Sequence, residues 1–312
     1  MGVRSRAMVV EGLLERDGEW SAIDRRCRSL AAGEGGGVAL VVGEAGIGKS
    51  ALLLWARSRA EQLGIRVLRG SGAALEREFG FGLVRQLLER EVRQLSPSES
   101  KRVFVGPAAP AAGVFGLPAR ALVPALETDP SFLVRHALVW VIEALGERGP
   151  LVLVVDDLQW VDGASLRWLA HLARRVEALP VLVLGALRTG EVPAAPEAVA
   201  ELEAAAGTDL LWPAPLSAEA VVALTREELG RGDREFAMRC HDATAGNPLL
   251  VRELLRAVSE EGLAPTLESA TRLETLAAQR LGERVVRRLG RLSAPARALA
   301  SAVAVLEAAE RG

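Results

Sequence analysis

Short apolar runs alternate with longer amphipathic stretches along the chain as far as residue 214. Continuous apolar runs are typical of parallel strands buried on both faces, and the amphipathic stretches between them are typical of the helices that connect such strands. The pattern therefore predicts an α/β domain built on a parallel sheet. The predicted strands are 38–42, 65–68, 151–155, 181–187 and a weaker one at 210–212, and the predicted helices cover 83–95, 131–145, 165–178 and the residues that follow 49.

Beyond Pro215 the apolar positions recur at helical spacing only, and Ser217 is a typical N-cap for the first of these helices. We therefore expect two domains, an α/β domain at 1–214 and an all-α domain at 215–312. Within the first domain, residues 96–130 are rich in Pro, Ala and Gly, which predicts a loop or irregular insertion rather than a repeated element. The further helices predicted in the second domain are 234–244, 248–261, 267–281, 285–292 and one that starts at about 293.

The composition excludes several classes of function. Hydrophobic residues make up 50% of the chain and the net charge is −2, so a sizeable core is possible and no basic surface indicates nucleic-acid binding. Cys27 and Cys240 form no C-x-x-C pattern and no histidine has a ligand partner at helical spacing, which argues against a disulfide or a metal held by side chains alone. The N-terminus lacks a signal-peptide core, and no apolar run approaches the roughly 18 residues of a membrane span. We expect a cytoplasmic protein without a membrane partner.

The most specific motif follows the first predicted strand, where GEAGIGKS matches the phosphate-loop pattern G-x-x-x-x-G-K-[ST]. Lys49 is one of only two lysines among the 38 basic residues, and a compact ammonium fits between phosphates where a guanidinium is too bulky. We expect the backbone N–H groups of 46–50 to surround the phosphates of ATP, Lys49 to bridge the β- and γ-phosphates, and Ser50 to ligate Mg²⁺. We also expect the loop to face solvent. The predicted nucleotide-binding residues here are Gly43, Glu44, Ala45, Gly46, Ile47, Gly48, Lys49 and Ser50.

An acidic pair, Asp156 and Asp157, ends the most strongly apolar predicted strand. A carboxylate at the tip of a central strand can hold Mg²⁺ through water opposite the phosphate loop, and Asp156 fits that role. Asp157 could orient the attacking water, and because its side chain is a methylene shorter than glutamate we expect slow hydrolysis. The alternative is that both aspartates are plain turn residues.

Arg188 ends the predicted strand 181–187, where it could contact the γ-phosphate and report its loss. The alternative is an exposed arginine in a loop between a strand and a helix. Three further residues after the acidic pair, Gln159, Trp160 and Asp162, are expected by default to serve packing and helix capping. The predicted catalytic residues are therefore Asp157, Lys49 and Arg188.

Taken together, these motifs resemble the STAND class of signal-transducing P-loop ATPases within the wider AAA-like (ASCE) group. They are most similar to the N-terminal ATPase module of large LuxR-type (LAL, MalT-like) bacterial transcriptional regulators. The resemblance covers most of the chain and implies a three-layer sandwich followed by a helical lid. The matching stretches are LERDGE at 14–19, the phosphate loop at 43–50, EFGFG at 78–82, VDDLQWVD at 155–162 and GNPL at 246–249.

The resemblance also implies roles for two residues outside the phosphate loop. Arg16 would lie beside the adenine, although Glu15 replaces the glycine that usually precedes this arginine. Pro248 in the GNPL stretch would touch the nucleotide base and couple its state to domain orientation. From the residues alone, 246–248 are only the end of one helix and the start of the next.

The function implied by the resemblance is a switch in which ATP with Mg²⁺ closes the lid and ADP favours another arrangement, with possible self-association on ATP binding. DNA would be contacted only through a C-terminal domain absent from this chain, which ends within or just before a possible winged helix. The alternatives are a free-standing AAA-like ATPase with rapid turnover and the ATPase module of a cyclase or kinase signalling protein.

Overall fold

The computed structural model describes residues 14–118, 130–230 and 232–269, together with scattered positions between 272 and 302. The contacts divide the chain into two compact units, Met1–Pro213 and Ala214–Gly312. In the described residues, no helix combines the length and the apolar character that crossing a membrane requires.

The first unit is built on a five-stranded sheet in the order β2-β3-β4-β1-β5. All four strand pairs are parallel. The pairing places Gly43 opposite Arg188 and Ser71 opposite Asp156, so the carboxyl ends of the first four strands lie along one edge of the sheet. The strands are β1 Gly37–Gly43, β2 Arg66–Ser71, β3 Leu151–Asp156, β4 Val181–Arg188 and β5 Thr208–Leu211.

Helices cover both faces of this sheet, which gives the three-layer arrangement that the resemblance implies. Successive residues of a strand point to opposite faces, and along β1 Val38 and Leu40 belong to one core whereas Ala39 and Val41 belong to the other. One core includes residues of α3, α5, α6 and α7, and the other includes residues of α1 and α2. The helices are α1 Asp17–Ala31, α2 Lys49–Gln62, α3 Gly82–Arg93, α4 Pro97–Val103, α5 Pro130–Gly146, α6 Gly163–Ala173 and α7 Pro196–Ala204.

The prediction of a loop or irregular insertion at 96–130 is wrong for much of its described part. The chain there forms α4 and then a 3₁₀ helix at Gly106–Phe115. Ser96 starts α4 with a capping box, in which its hydroxyl accepts a hydrogen bond from the Glu99 N–H and the Glu99 carboxylate accepts one from the Ser96 N–H. Pro110 has no N–H group to donate within the second helix. The buried side chains of Ala108 and Ala111 pack that helix on the core.

The described part of the second unit is helical, with α8 Ala218–Leu229, α9 Arg234–Thr244 and α10 Pro248–Glu260. Ser217 caps α8 as predicted, since its hydroxyl accepts a hydrogen bond from the Ala220 N–H at 3.1 Å. The helices predicted at 267–281, 285–292 and from 293 onward fall largely outside the described residues.

Candidate nucleotide-binding site

The loop between β1 and α2 has a backbone that depends on glycine. Gly46 and Gly48 have φ of +85° and +106°, values that side-chain-bearing residues rarely adopt. At Gly43 a Cβ atom would lie 3.1 Å from Cγ2 of Ile47, a residue of the same loop whose side chain is buried. Because α2 begins at Lys49, its first N–H groups have no partner within the helix and are available to an anion. The loop is therefore shaped as a phosphate cradle.

Lys49 lies across the base of this loop and is only 9% exposed. Its Nζ donates to the carbonyl oxygens of Gly43 at 2.9 Å and Glu44 at 2.7 Å. Burial lowers the pKa of this ammonium, the charge of Arg188 lowers it further, and nearby carboxylates oppose the shift. The expectation that the loop faces solvent is thus wrong for its lysine, although Glu44 and Ser50 are exposed.

The acidic pair lies at the carboxyl end of β3. Asp156 ends the strand and its Oδ1 accepts a hydrogen bond from the Asp157 N–H at 2.9 Å. Asp157 has φ of +51°, a left-handed conformation that an aspartate tolerates better than most residues. Gly72, next along the chain after β2, lies against this turn, because a Cβ atom there would be 2.3 Å from the Asp157 carbonyl oxygen. Close contact with the end of β2 therefore restricts the acidic turn.

Gln159 is one of the three residues after the acidic pair that were expected by default to serve packing and helix capping. It is fully buried, its Nε2 donates to Oδ1 of Asp157 at 2.6 Å, and its Oε1 accepts a hydrogen bond from the Arg188 N–H at 2.9 Å. Nothing in the spacing of the motif indicates this bridge, because it joins positions 29 residues apart. Asp162, by contrast, caps α6 as expected, with its Oδ1 accepting from the Ser165 N–H at 2.9 Å.

Arg188 is brought beside the phosphate loop by strand pairing. It lies opposite Gly43 in the sheet, and the following Thr189 N–H donates to the Gly43 carbonyl oxygen at 3.1 Å. Its side chain is 24% exposed, with Nη1 3.9 Å from Oε1 of Glu191. Its buried Nε has no hydrogen-bond partner in the described structure, which is unusual for a buried polar atom and is consistent with a ligand contact.

Arg16 lies against the loop from the other side. It is 2% exposed, and its Nη2 donates to the Ile47 carbonyl oxygen at 3.1 Å. Burial lowers the pKa of this guanidinium against the opposing charges of two nearby glutamates, Glu19 and Glu15. Glu15 has φ of +55°, a conformation that glycine adopts freely and that side-chain-bearing residues rarely adopt. The predicted contact of Arg16 with adenine stays a prediction.

The sequence matches a family model described as the AAA ATPase domain over residues 12–184, which is more than half of the chain. The chain belongs to the AAA ATPase domain family. A curated relative, an uncharacterized protein of Rhizobium meliloti (strain 1021), is 28% identical across 93% of this chain. The AAA ATPase chain spans only 29% of the length of that relative.

Similar solved structures with TM-scores of at least 0.50 confirm the α/β P-loop NTPase fold of this AAA ATPase. The ORC1 protein of Aeropyrum pernix, solved in complex with DNA, has a TM-score of 0.52 at 19% identity, covering 97% of this chain and 75% of that one. Cdc6p of Pyrobaculum aerophilum has a TM-score of 0.50 at 13% identity, covering 83% and 66%. A Signal Transduction ATPase with Numerous Domains (STAND) protein with a tetratricopeptide repeat sensor, from Pyrococcus horikoshii, gives 0.49 at 19% identity, covering 79% and 30%.

The AAA ATPase site also offers the donor set of a nucleotide-bound magnesium ion. Ser50 contributes a hydroxyl after the loop, and Asp156 contributes a carboxylate at the carboxyl end of β3, which β4 separates from β1 in the sheet. Both are oxygen ligands of the kind Mg²⁺ prefers. No cluster of three or more His, Cys, Asp or Glu side chains in the described part of the chain could hold a metal unaided. The residues therefore fit an ion that shares its coordination with phosphates and water.

Pro248 of this AAA ATPase lies in the second unit, at the first position of α10. Asn247 caps the helix, with its Oδ1 accepting from the Leu249 N–H at 3.2 Å. The Gly246 carbonyl oxygen accepts from the Leu216 N–H at 2.8 Å, and a Cβ atom on Gly246 would be 2.3 Å from the Leu216 carbonyl oxygen. The stretch thus ends one helix and begins the next, and its predicted contact with the nucleotide base stays a prediction.

Proposed function

We propose that this chain binds ATP with Mg²⁺ and hydrolyses it slowly, acting as the nucleotide switch of a LuxR-type (LAL) transcriptional regulator. The observation that carries the proposal is the placement of three separate segments along one edge of the sheet. The loop holding Lys49, the acidic turn of Asp156 and Asp157, and the tip of β4 at Arg188 are joined there by strand pairing and hydrogen bonds.

Each residue has a task that its surroundings support. The Lys49 ammonium, now bound to two loop carbonyls, would turn to the β- and γ-phosphate oxygens, which accept charge-assisted hydrogen bonds in their place. Ser50 and Asp156 would hold Mg²⁺, which when bound neutralises phosphate charge. Asp157 would orient the attacking water and accept its hydrogen bond, and Arg188 would bind the γ-phosphate through its unpartnered Nε.

The role as a switch rests on the resemblance to LuxR-type regulators. Arg16 would contact the adenine and Pro248 would respond to the base, so that ATP and ADP favour different arrangements of the helical unit. ATP binding would also promote self-association, and DNA would be contacted by another part of such a regulator. The curated relative is more than three times as long as the region that this chain matches. That length is consistent with a module that works together with further domains.

Nucleotide titration of Lys49→Ala tests ATP binding. We expect affinity to fall by at least about 100-fold, roughly 3 kcal/mol, because the phosphates lose their ammonium partner. Lys101→Ala is the matched control, since Lys101 is the other lysine and lies exposed in α4. Because Lys49 is buried, the melting temperature of each variant must be measured as well. Unchanged affinity in a folded Lys49→Ala protein would contradict the proposal.

Single-turnover phosphate release separates a switch from a rapid ATPase. We expect slow release in the wild type, and Asp157→Asn should keep ATP binding but lose hydrolysis. Loss of binding in Asp157→Asn would instead assign the metal role to Asp157. Rapid release under excess ATP, without any change in sedimentation on ATP addition, would favour the free-standing ATPase over the switch.

A further inference from the structure

The backbone pairing of β3 with β4 ends before the residues of the site, Asp156, Asp157 and Arg188. The last paired residues are Val155 and Gly185, whereas the acidic turn and Arg188 lie further along the chain. Leu158 packs over the end of the ladder, because a Cβ atom on Gly185 would be 2.6 Å from its Cδ1. Beyond this point no backbone hydrogen bond of the described ladder fixes the acidic turn to β4.

Gln159 fills this gap with its side chain. It lies in the 3₁₀ turn Leu158–Trp160, and its amide spans from the Asp157 carboxylate to the Arg188 N–H. A carboxylate can only accept and a backbone N–H can only donate, so the amide has one possible orientation, with Nε2 toward Asp157 and Oε1 toward Arg188. With the side chain fully buried, water does not compete readily for either bond.

We infer that Gln159 is a positioning residue that fixes the Asp157 carboxylate and couples it to the tip of β4. The inference rests on the proposed ATPase function. Asp157 occupies a left-handed backbone conformation, and its carboxylate is held through Oδ1 in a hydrogen bond of 2.6 Å. The same amide holds the backbone of Arg188, the residue placed to contact the γ-phosphate. A shift of Arg188 on loss of that phosphate would therefore move the hydrolytic carboxylate too.

The chain contains a matched control for this arrangement at the edge strand. Gln86 also joins a strand end to a carboxylate, since its Oε1 accepts from the Ser71 N–H at 2.9 Å and its Nε2 donates to Glu76 at 3.3 Å. Its partners belong to the end of β2 and the segment that follows, not to the acidic pair or the loop. The two glutamines differ in what they position and in burial, since Gln86 is exposed and Gln159 is fully buried.

The test measures ATP affinity and single-turnover hydrolysis in Gln159→Leu, Gln159→Glu and Gln86→Leu. We expect Gln159→Leu to bind ATP within about 3-fold of wild type and to hydrolyse it about 10- to 100-fold more slowly, because a displaced water-orienting group costs rate rather than affinity. Gln159→Glu keeps an acceptor for the Arg188 N–H but offers Asp157 a like charge in place of a donor, so it should be slowed at least as much. Gln86→Leu should leave both quantities unchanged.

A double-mutant cycle distinguishes positioning of Asp157 from a purely structural role of Gln159, because only positioning makes the two substitutions non-additive in hydrolysis. In an Asp157→Asn background, Gln159→Leu should cause little further loss of hydrolysis, since the group it positions is already inactive. Hydrolysis at the wild-type rate in Gln159→Leu would overturn the inference, and so would equal losses of binding and hydrolysis. Should Gln159→Leu not fold, Gln159→Glu decides by the same criteria. Failure of the wild type to bind ATP would instead overturn the proposed function.

Discussion

Replacing Asp162 tests whether one buried carboxylate joins two helices next to the acidic turn. Asp162 is 3% exposed and accepts three backbone hydrogen bonds. Its Oδ1 accepts from the N–H groups of Phe81 and Ser165, each at 2.9 Å, and its Oδ2 accepts from the Leu83 N–H at 3.3 Å. Phe81 and Leu83 lie at the start of α3, where Phe81 is the N-cap residue. Ser165 lies in the first turn of α6.

The magnitude follows from the donors that lose their acceptor. An N-cap contributes about 1 kcal/mol, and a buried N–H left unsatisfied costs about 1 to 3 kcal/mol. The 3.3 Å bond lies at the weak end of this range. Asp162→Ala should therefore lower the free energy of unfolding of the first unit by about 3 to 4 kcal/mol, or about 10 °C in melting temperature for a unit of this size. Asp162→Asn keeps one oxygen for Phe81 and Ser165 and should cost only about 1 kcal/mol.

Thermal unfolding of both variants, combined with amide hydrogen exchange, is the assay. Exchange should accelerate at the amides of Phe81, Leu83 and Ser165 in Asp162→Ala. Ser96→Ala serves as the control, because it removes an N-cap in the same unit without leaving buried donors and should cost about 1 kcal/mol. The reasoning is refuted if Asp162→Ala melts within about 2 °C of wild type, or if the alanine and asparagine variants are equally destabilised.

Two further predictions concern the packing of the acidic turn and the acid limit of stability. Gly72→Ala should lower the free energy of unfolding by about 1 to 3 kcal/mol and slow hydrolysis, because the added methyl group meets the Asp157 backbone. The control is Gly18→Ala, where a Cβ meets nothing within 4 Å. It should be neutral or slightly stabilising in thermal melting and should leave phosphate release unchanged. Burial, aided by the charge of Arg175, lowers the pKa of His171 from 6.5 to about 4. Between pH 6.5 and pH 4, His171 therefore binds a proton in the unfolded chain but not in the folded one. Stability should therefore fall by about 1 to 2 kcal/mol from pH 7 to pH 5, and unfolding of His171→Gln that showed the same loss would contradict this cause.

Much of the fold was predictable because burial on both faces leaves a distinct pattern in a strand. The predicted strand at 38–42 falls within β1, and the one at 151–155 falls within β3. Apolar residues at both odd and even positions of these runs indicate two covered faces, hence three layers. The insertion was misjudged because its Pro and Ala content outweighed a capping box at Ser96 and Glu99 that was present in the sequence.

The candidate site was predictable where its chemistry lies in a contiguous motif or, as for Arg188, at the end of a predicted strand. The phosphate loop and the acidic pair are adjacent to strands and were found by spacing alone. The burial of Lys49 was not predictable from spacing, because its ammonium binds two carbonyl oxygens that only the folded loop brings within reach. The role of Gln159 was not predictable either. Its amide can bind the Arg188 N–H only because β4 lies beside β3 in the sheet.

Strand order is therefore the property that converts scattered residues into a site. β1 lies between β4 and β5, and the chain leaves β1 for the far edge at β2 before it returns through β3 and β4. Connections consequently diverge at the carboxyl end of β1, where open parallel sheets bind their ligands. This order places Arg188 opposite Gly43 and within reach of Gln159. Had β4 paired elsewhere, the same motifs would retain a phosphate loop and an acidic turn but lose the arginine and the amide that link them.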